Sequence, residues 1–212
     1  MTRGPKHRLS AEQLRDTVLA ASDLLVEKIG GPSVMPYQPA GLWRESGTGK
    51  SYNQSTGDGL YRRSLYTFWK RTAPPPTMLT LDATSRESCT PRRELTTTPL
   101  QALVSLNDPQ YVEASRVLAE TLIAKHESDT DSRWTELFRR LVSRSPSGSE
   151  RKVLNQLYDE QLQYFETNAE SAVEFLEVGT RPVAGKGDTS DLAATTVVVQ
   201  AMFAYDETIM LR

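Results

Sequence analysis

Residues 60–107 read LYRRSLYTFWKRTAPPPTMLTLDATSRESCTPRRELTTTPLQALVSLN. This stretch decides the fold, because it is irregular while the segments around it carry helical periodicity. Tyr61, Arg63, Leu65 and Thr67 alternate with Leu60, Arg62, Ser64 and Tyr66, and the aromatic and β-branched content predicts a short strand over 61–67. Pro74-Pro75-Pro76 forces an extended segment, and 78–82 is read as a second strand pairing with the first. Asp82 to Glu94 is a charged loop. Helix resumes at Thr98, a cap followed by Pro99 at the first helical position, with Gln101 placed to complete a capping box. Leu100, Leu103, Val104 and Leu106 are its expected buried face.

Downstream, residues 108–212 read as a helical bundle. Asp108-Pro109 opens a helix to about Lys125, and a further helix holds Trp134 to Val142. Another starts at Ser147, a short one lies near 168–177, and a final one is capped by Asp188 or Ser190. Upstream, Ser10 and Gln13 form a capping box for a helix predicted over 10–29, stopped by Gly30-Gly31-Pro32. Between them, 30–59 holds three prolines and seven glycines, so it is a long irregular loop. Its apolar residues predict an ordered first half, with a mobile tip near 46–57. That tip contains Gly47-Thr48-Gly49-Lys50-Ser51, but Arg44 stands where a phosphate-binding loop needs its first glycine, so a polar turn is expected. The expectation is one mainly α-helical domain with long irregular loops and a small two-stranded β element.

The chain has 212 residues, 38% hydrophobic and 25% charged, with a formal net charge of −2. That charge gives no general attraction for nucleic acid. Residues 61–93 are the exception, with seven arginines and lysines against Asp82 and Glu87. No apolar run approaches the roughly 18–20 residues of a membrane helix. One cysteine, Cys89, excludes an internal disulfide, and His7 and His126 belong to no metal-ligand cluster, so no metal or cofactor is expected in this chain. The opening MTRGPKHRLS lacks a secretory h-region and runs almost directly into a helix cap, so the chain is expected to be the C-terminal part of a longer protein.

The candidate site lies in the irregular stretch. Arg63, Arg92 and Arg93, with Asp82, Thr98 and Gln101 beside them and Tyr66 and Trp69 as stacking surfaces, could bind a carboxylate, a sulfate, a phosphate or a sugar. The structural alternative is an ion-pair network pinning loops to helices, with the aromatics as core. Asp82 and Glu87 as a glycosidase carboxylate pair, and Cys89 as a nucleophile, are weaker catalytic readings.

The run YRRSLYTFWKRTAPPPTMLTLDATSRESCTPRRELTTTPLQALVSLNDPQYVEASR resembles the signature of the planctomycete surface-protein domain called PSD-one, a domain of unknown function. RLSAEQLRD, IGGPSVMPYQPAGLW and Tyr205-Asp206-Glu207 are similar to the family too. The resemblance covers the later portion of the family domain. It implies a large exported protein, extracytoplasmic, with cytochrome-c-like and other domains upstream as partners. There is no Cys-x-x-Cys-His, so any haem belongs to those parts, and the family supplies no catalytic residues to carry over. The expected role is a non-catalytic binding or structural module, associated with polysaccharide. The alternatives are a polysaccharide hydrolase using the Arg/Asp/Thr segment and a redox accessory module docking a cytochrome-c-like domain.

Overall fold

The structure is a computed structural model that describes residues 7–47, 49–127, 129–184 and 187–211. It is mainly α-helical, with one two-stranded antiparallel sheet among the described residues, and it divides into two compact units. One takes in Leu24–Val104, the chain up to Ala20 and the C-terminal strand; the other takes in Ala21–Asp23 and Ser105–Ile209.

In the first unit, β1 (His7–Arg8) leads into α1 (Ala11–Ala21). The predicted capping box is present: Gln13 N–H donates to Ser10 Oγ (3.3 Å), and Ser10 N–H to Gln13 Oε1 (2.9 Å). α1 ends eight residues before the expected stop at 29. Asp23 adopts φ 58°, and Leu24 N–H donates to the Leu19 carbonyl (2.9 Å), closing the helix end through a left-handed residue that need not be glycine. Leu19 and Leu24 are both buried, the hydrophobic contact that accompanies this stop.

The β element is not where the alternation placed it. β1 pairs with β2 (Met210–Leu211), His7 opposite Leu211 and Arg8 opposite Met210. Residues 64–66 form a 3-10 turn, flanked by isolated parallel bridges Val26–Arg62 and Val34–Thr67. The backbone groups a strand would pair here are satisfied by side chains. Asp16 accepts from Ser64 N–H (2.8 Å), and the Arg15 guanidinium donates to the Leu60 and Arg62 carbonyls (2.7 and 2.9 Å). The second proposed strand is a helix. α2 (Leu42–Glu45) precedes it in the loop, and α3 (Pro76–Thr80) begins with the third proline at its first position, where no N–H is missed. α3 ends in a Schellman turn at Asp82 (φ 67°): Asp82 N–H donates to Leu79 O and Ala83 N–H to Met78 O.

The expected mobile tip is tied down on its C-terminal side. Ser55 exchanges hydrogen bonds with the Met35 backbone, Tyr52 O–H donates to Pro36 O, and Tyr52 packs edge-on against Trp43 at 5.1 Å. Thr48, within the phosphate-loop-like run, lies outside the described residues.

α4 (Pro99–Asn107) forms where the Thr98 cap and Pro99 predict, but its burial is inverted. Leu100 and Leu103 are 58% and 55% exposed and Leu106 is exposed too, while Gln101 and Ser105 are buried. The Gln101 amide makes hydrogen bonds that turn this polar face inward, and the leucines face solvent.

The second unit is built on α5 (Pro109–His126), capped by Asp108 as expected, and buried on every side from Gln110 to Ala119. A helix with no exposed stripe belongs at a centre. α6 (Thr130–Val142), α7 (Gly148–Thr167), α8 (Ala169–Leu176), α9 (Thr189–Phe203) and α10 (Asp206–Ile209) complete the unit; α5 and α9 are its central pair. Trp134, Phe138, Leu118, Leu122, Val198 and Phe203 are its sealed core, and large apolar side chains of this kind contribute about 1.5–3 kcal/mol each. α7 opens with a complete capping box, Ser147 with Glu150. Polar groups are buried too. The Glu113 carboxylate accepts from Thr180 and Arg181 N–H (2.8 and 2.7 Å), and Arg116 donates to the Arg181 carbonyl (2.6 Å), pinning the loop after α8. No helix among the described residues is long and apolar enough to cross a membrane.

Candidate functional site

Asp82 is the centre of the sequence-predicted site, and its carboxylate meets donors from three residues. Arg8 Nη1 donates to Oδ2 (3.0 Å), Thr96 N–H donates to the same oxygen (2.7 Å), and Gln101 Nε2 donates to it at 3.0 Å. The Thr96 hydroxyl is 3.0 Å from both oxygens. Arg8 also donates to the Thr96 carbonyl, and Gln101 to the Thr80 carbonyl (2.9 Å). The side chain of Arg8 is 5% exposed and that of Asp82 19%. A carboxylate this saturated organises its neighbours: it joins the end of α3, the segment before α4 and the start of the chain.

Thr98 and Gln101 form the predicted capping box, Thr98 N–H to Gln101 Oε1 (3.0 Å) and Gln101 N–H to Thr98 Oγ1 (3.4 Å). Gln101 therefore serves both the helix start and Asp82. Arg93 does not face Asp82. It pairs with Glu12 at 2.6 Å. Burial is the largest influence on Glu12 and works against its charge, but the Arg93 hydrogen bond and charge, together with hydrogen bonds to its own backbone and Ser10, hold the carboxyl below its usual range; the Glu12 bond raises Arg93. Arg63 makes an exposed pair with Glu27 (3.0 Å), and Arg92 is exposed.

Arg62 is buried and binds no carboxylate. Its guanidinium donates to the Lys28, Gly30 and Pro32 carbonyls and lies 3.8 Å from the Tyr66 ring centroid. Gly30 and Gly31 (φ 77° and 87°) give the loop the left-handed turn that brings these carbonyls together. Tyr66 is fixed in turn, its hydroxyl accepting from Gly30 N–H (2.8 Å). Trp69 is half-buried. Its indole N–H donates to the Ser85 carbonyl (3.0 Å), and Arg86 stacks 4.8 Å from its ring. Phe68, beside it in sequence, is 40% exposed.

The structure thus brings Asp82, Thr98 and Gln101 together and leaves Arg63, Arg92 and Arg93 apart from them. Arg8, Arg15 and Asp16 carry comparable weight and were missed by reading the irregular stretch alone. Arg15 had a signal: Ala11, Leu14, Val18 and Leu19 form the buried stripe of α1, and Arg15 occupies the remaining position in it. A charged residue on a core stripe marks an internal partner. Arg8 has no such pattern around it.

Chemically, this ensemble holds segments in place. The Asp82 carboxylate is committed chiefly through Oδ2 to Arg8, Thr96 and Gln101, and the Arg62 guanidinium to three carbonyls. Toward solvent the segment presents, among others, the Trp69–Arg86 stack and the exposed side chains of Arg63, Phe68 and Arg92.

In comparison with known families, the model of PSD1, described as protein of unknown function (DUF1553), matches residues 1–158. No curated protein and no solved structure matches the chain.

Proposed function

Because this chain belongs to the PSD1 family of proteins of unknown function, we propose that it is a non-catalytic binding or structural module of a larger exported protein, associated with carbohydrate outside the cytoplasm. One observation supports the non-catalytic part: Asp82, Arg62 and Arg93 of the signature segment are bound to side chains and backbone elsewhere in the chain. Asp82 is held by Arg8, Thr96 and Gln101, Arg62 by three carbonyls, and Arg93 by Glu12. The carbohydrate part draws on Trp69, whose ring is held by Ser85 and backed by Arg86, as a sugar-stacking surface.

The test is a binding screen of the full chain against sulfated and neutral polysaccharides, with product analysis of every mixture. Binding without cleavage, weakened in Trp69→Ala, is the expected result. Cleavage products would establish the hydrolase alternative, and no binding to any polysaccharide would remove the carbohydrate association.

A second reading, a module that docks a cytochrome-c-like domain, draws on the solvent-facing Leu100, Leu103 and Leu106 of α4. It requires a complex with a c-type cytochrome in light scattering that Leu103→Lys abolishes; no complex removes it.

A further inference from the structure

The loop after α3 meets Trp69 at two successive residues. The indole N–H donates to the Ser85 carbonyl (3.0 Å), and the guanidinium of Arg86 lies 4.8 Å from the centroid of the indole ring. Arg86 is also left-handed (φ 63°), a conformation that a residue with a Cβ adopts only at a cost. Its side chain is exposed, and Trp69 is half-buried, so part of the indole stays in contact with solvent.

The donors of Arg86 are unused. A cation–π contact draws on the charge of a guanidinium and on none of its N–H groups. Arg62, which also lies on an aromatic ring, gives its donors to three carbonyls, whereas Arg86 has no hydrogen bond and no ion pair among the described residues. Glu87, the next residue, is exposed and does not pair with it, and Asp82 is committed to Arg8. Every aspartate and glutamate of the chain lies within the described residues, so no further carboxylate side chain is left over for Arg86. An exposed arginine loses rotamer freedom when it binds an anion. Arg86 has given up part of that freedom on the indole already, so an oxyanion that meets its fork is bound at a smaller entropic cost.

Resting on the sugar-stacking reading of Trp69, we propose that Arg86 is the anion-recognising residue of that surface and that the carbohydrate taken there is an acidic one. The sugar ring lies against the indole, and a sulfate ester or a carboxylate on it accepts two N–H bonds from the Arg86 fork.

The test is calorimetric titration of the full chain with glucans that share one backbone: dextran, dextran sulfate and carboxymethyl dextran. At least one charged glucan should bind about tenfold or more tightly than dextran, and the tighter of the two identifies the oxyanion as sulfate or carboxylate. Arg86→Gln should bring that binding down to the dextran level. Arg86→Lys, which keeps the charge and lacks the fork, should stay within about threefold of the glutamine variant. Arg139→Gln, at an exposed and unpaired arginine of the second unit, should bind like the parent. Dextran bound as tightly as the charged glucans, no binding of either charged glucan, an Arg86→Lys chain that binds like the parent, or a loss in Arg139→Gln as large as in Arg86→Gln would each overturn the proposal. Binding of a neutral polysaccharide that Trp69→Ala weakens and Arg86→Gln does not would overturn it alone and leave the stacking reading standing. Absence of binding to every polysaccharide, neutral or charged, would overturn both.

Discussion

Asp82 performs two tasks that substitution can separate. Its carboxylate collects Arg8, Thr96 and Gln101, and its backbone holds the left-handed position that ends α3. Asp82→Ala removes the carboxylate and leaves Arg8, 5% exposed, without its counter-charge. Breaking a buried pair costs about 3–5 kcal/mol, and the partial exposure of Asp82 places this one near the lower end, about 3 kcal/mol. The left-handed conformation adds about 1 kcal/mol for alanine, for a total near 4. Asp82→Gly loses the same hydrogen bonds without that strain and should lie about 0.5–1 kcal/mol above the alanine variant, after allowance for glycine's greater freedom when unfolded. Asp82→Asn tolerates the backbone and keeps one acceptor, so about 1–2 kcal/mol is expected. Urea unfolding followed by circular dichroism, with the transition that responds to substitutions in the first unit analysed separately, gives all three values. The order asparagine, glycine, alanine is the decisive outcome. An Asp82→Gly chain as stable as the parent would refute the carboxylate's role, and alanine equal to glycine would refute the backbone's.

Other perturbations test the second unit and α4. Glu136 is opposed by burial but held down to about 2 by hydrogen bonds from Lys125 and His126, so its folded pKa lies below its unfolded one. Its stabilising contribution is complete above the ordinary carboxylate pKa of about 4.5 and lost as pH falls toward 2. The stability gap between the parent and Glu136→Gln should therefore narrow across that window in acid titrations; a constant gap would contradict the pairing. Gly179→Ala should destabilise by about 2–4 kcal/mol in thermal melts, because φ is 108° and a Cβ would fall 2.6 Å from Glu113 Oε1. Leu103→Lys should change stability by less than about 0.5 kcal/mol, since the side chain is 55% exposed; a loss of several kcal/mol would restore the buried face that its spacing suggests.

Local signals in the sequence were reliable where the deciding interaction is itself local. The caps at Ser10, Thr98, Asp108, Ser147 and Asp188 each depend on residues within a few positions, and each helix starts where they place it. Where the decision is tertiary, the pattern misled. The alternation over 61–67 is genuine, but Arg15 and Asp16 from α1 take the backbone groups a strand would have used. The leucines of α4 have core spacing, yet the Gln101 amide is buried with its hydrogen bonds to Thr80, Asp82 and Thr96, and the leucines are exposed. The helix stop at Asp23 escaped notice because glycine is the usual marker for that conformation, and the one at Asp82 because α3 was read as a strand. Within the candidate site, the Thr98–Gln101 capping box was legible because it is local, whereas Asp82 was expected beside arginines and its bond to Gln101 was not foreseen. Nor was the pairing of Arg93, since its partner Glu12 lies 81 residues away in sequence.

The guanidinium clamps have a consequence for how this chain can vary. Arg15 holds the carbonyls of Leu60 and Arg62, Arg62 those of Lys28, Gly30 and Pro32, and Arg116 that of Arg181. A carbonyl is the same group whatever side chain its residue bears. At the exposed clamped positions Lys28, Pro32 and Arg181 the side chain can therefore vary, unlike at buried Leu60 and Arg62 or at Gly30, whose backbone angles are special. The clamp cannot be exchanged in the same way. A lysine ammonium lacks the planar fork that spans several carbonyls at once. Each arginine thus works as a template that fixes a loop's path while leaving its lettering open, and loops held this way are natural places to graft new surface chemistry without redesigning the scaffold.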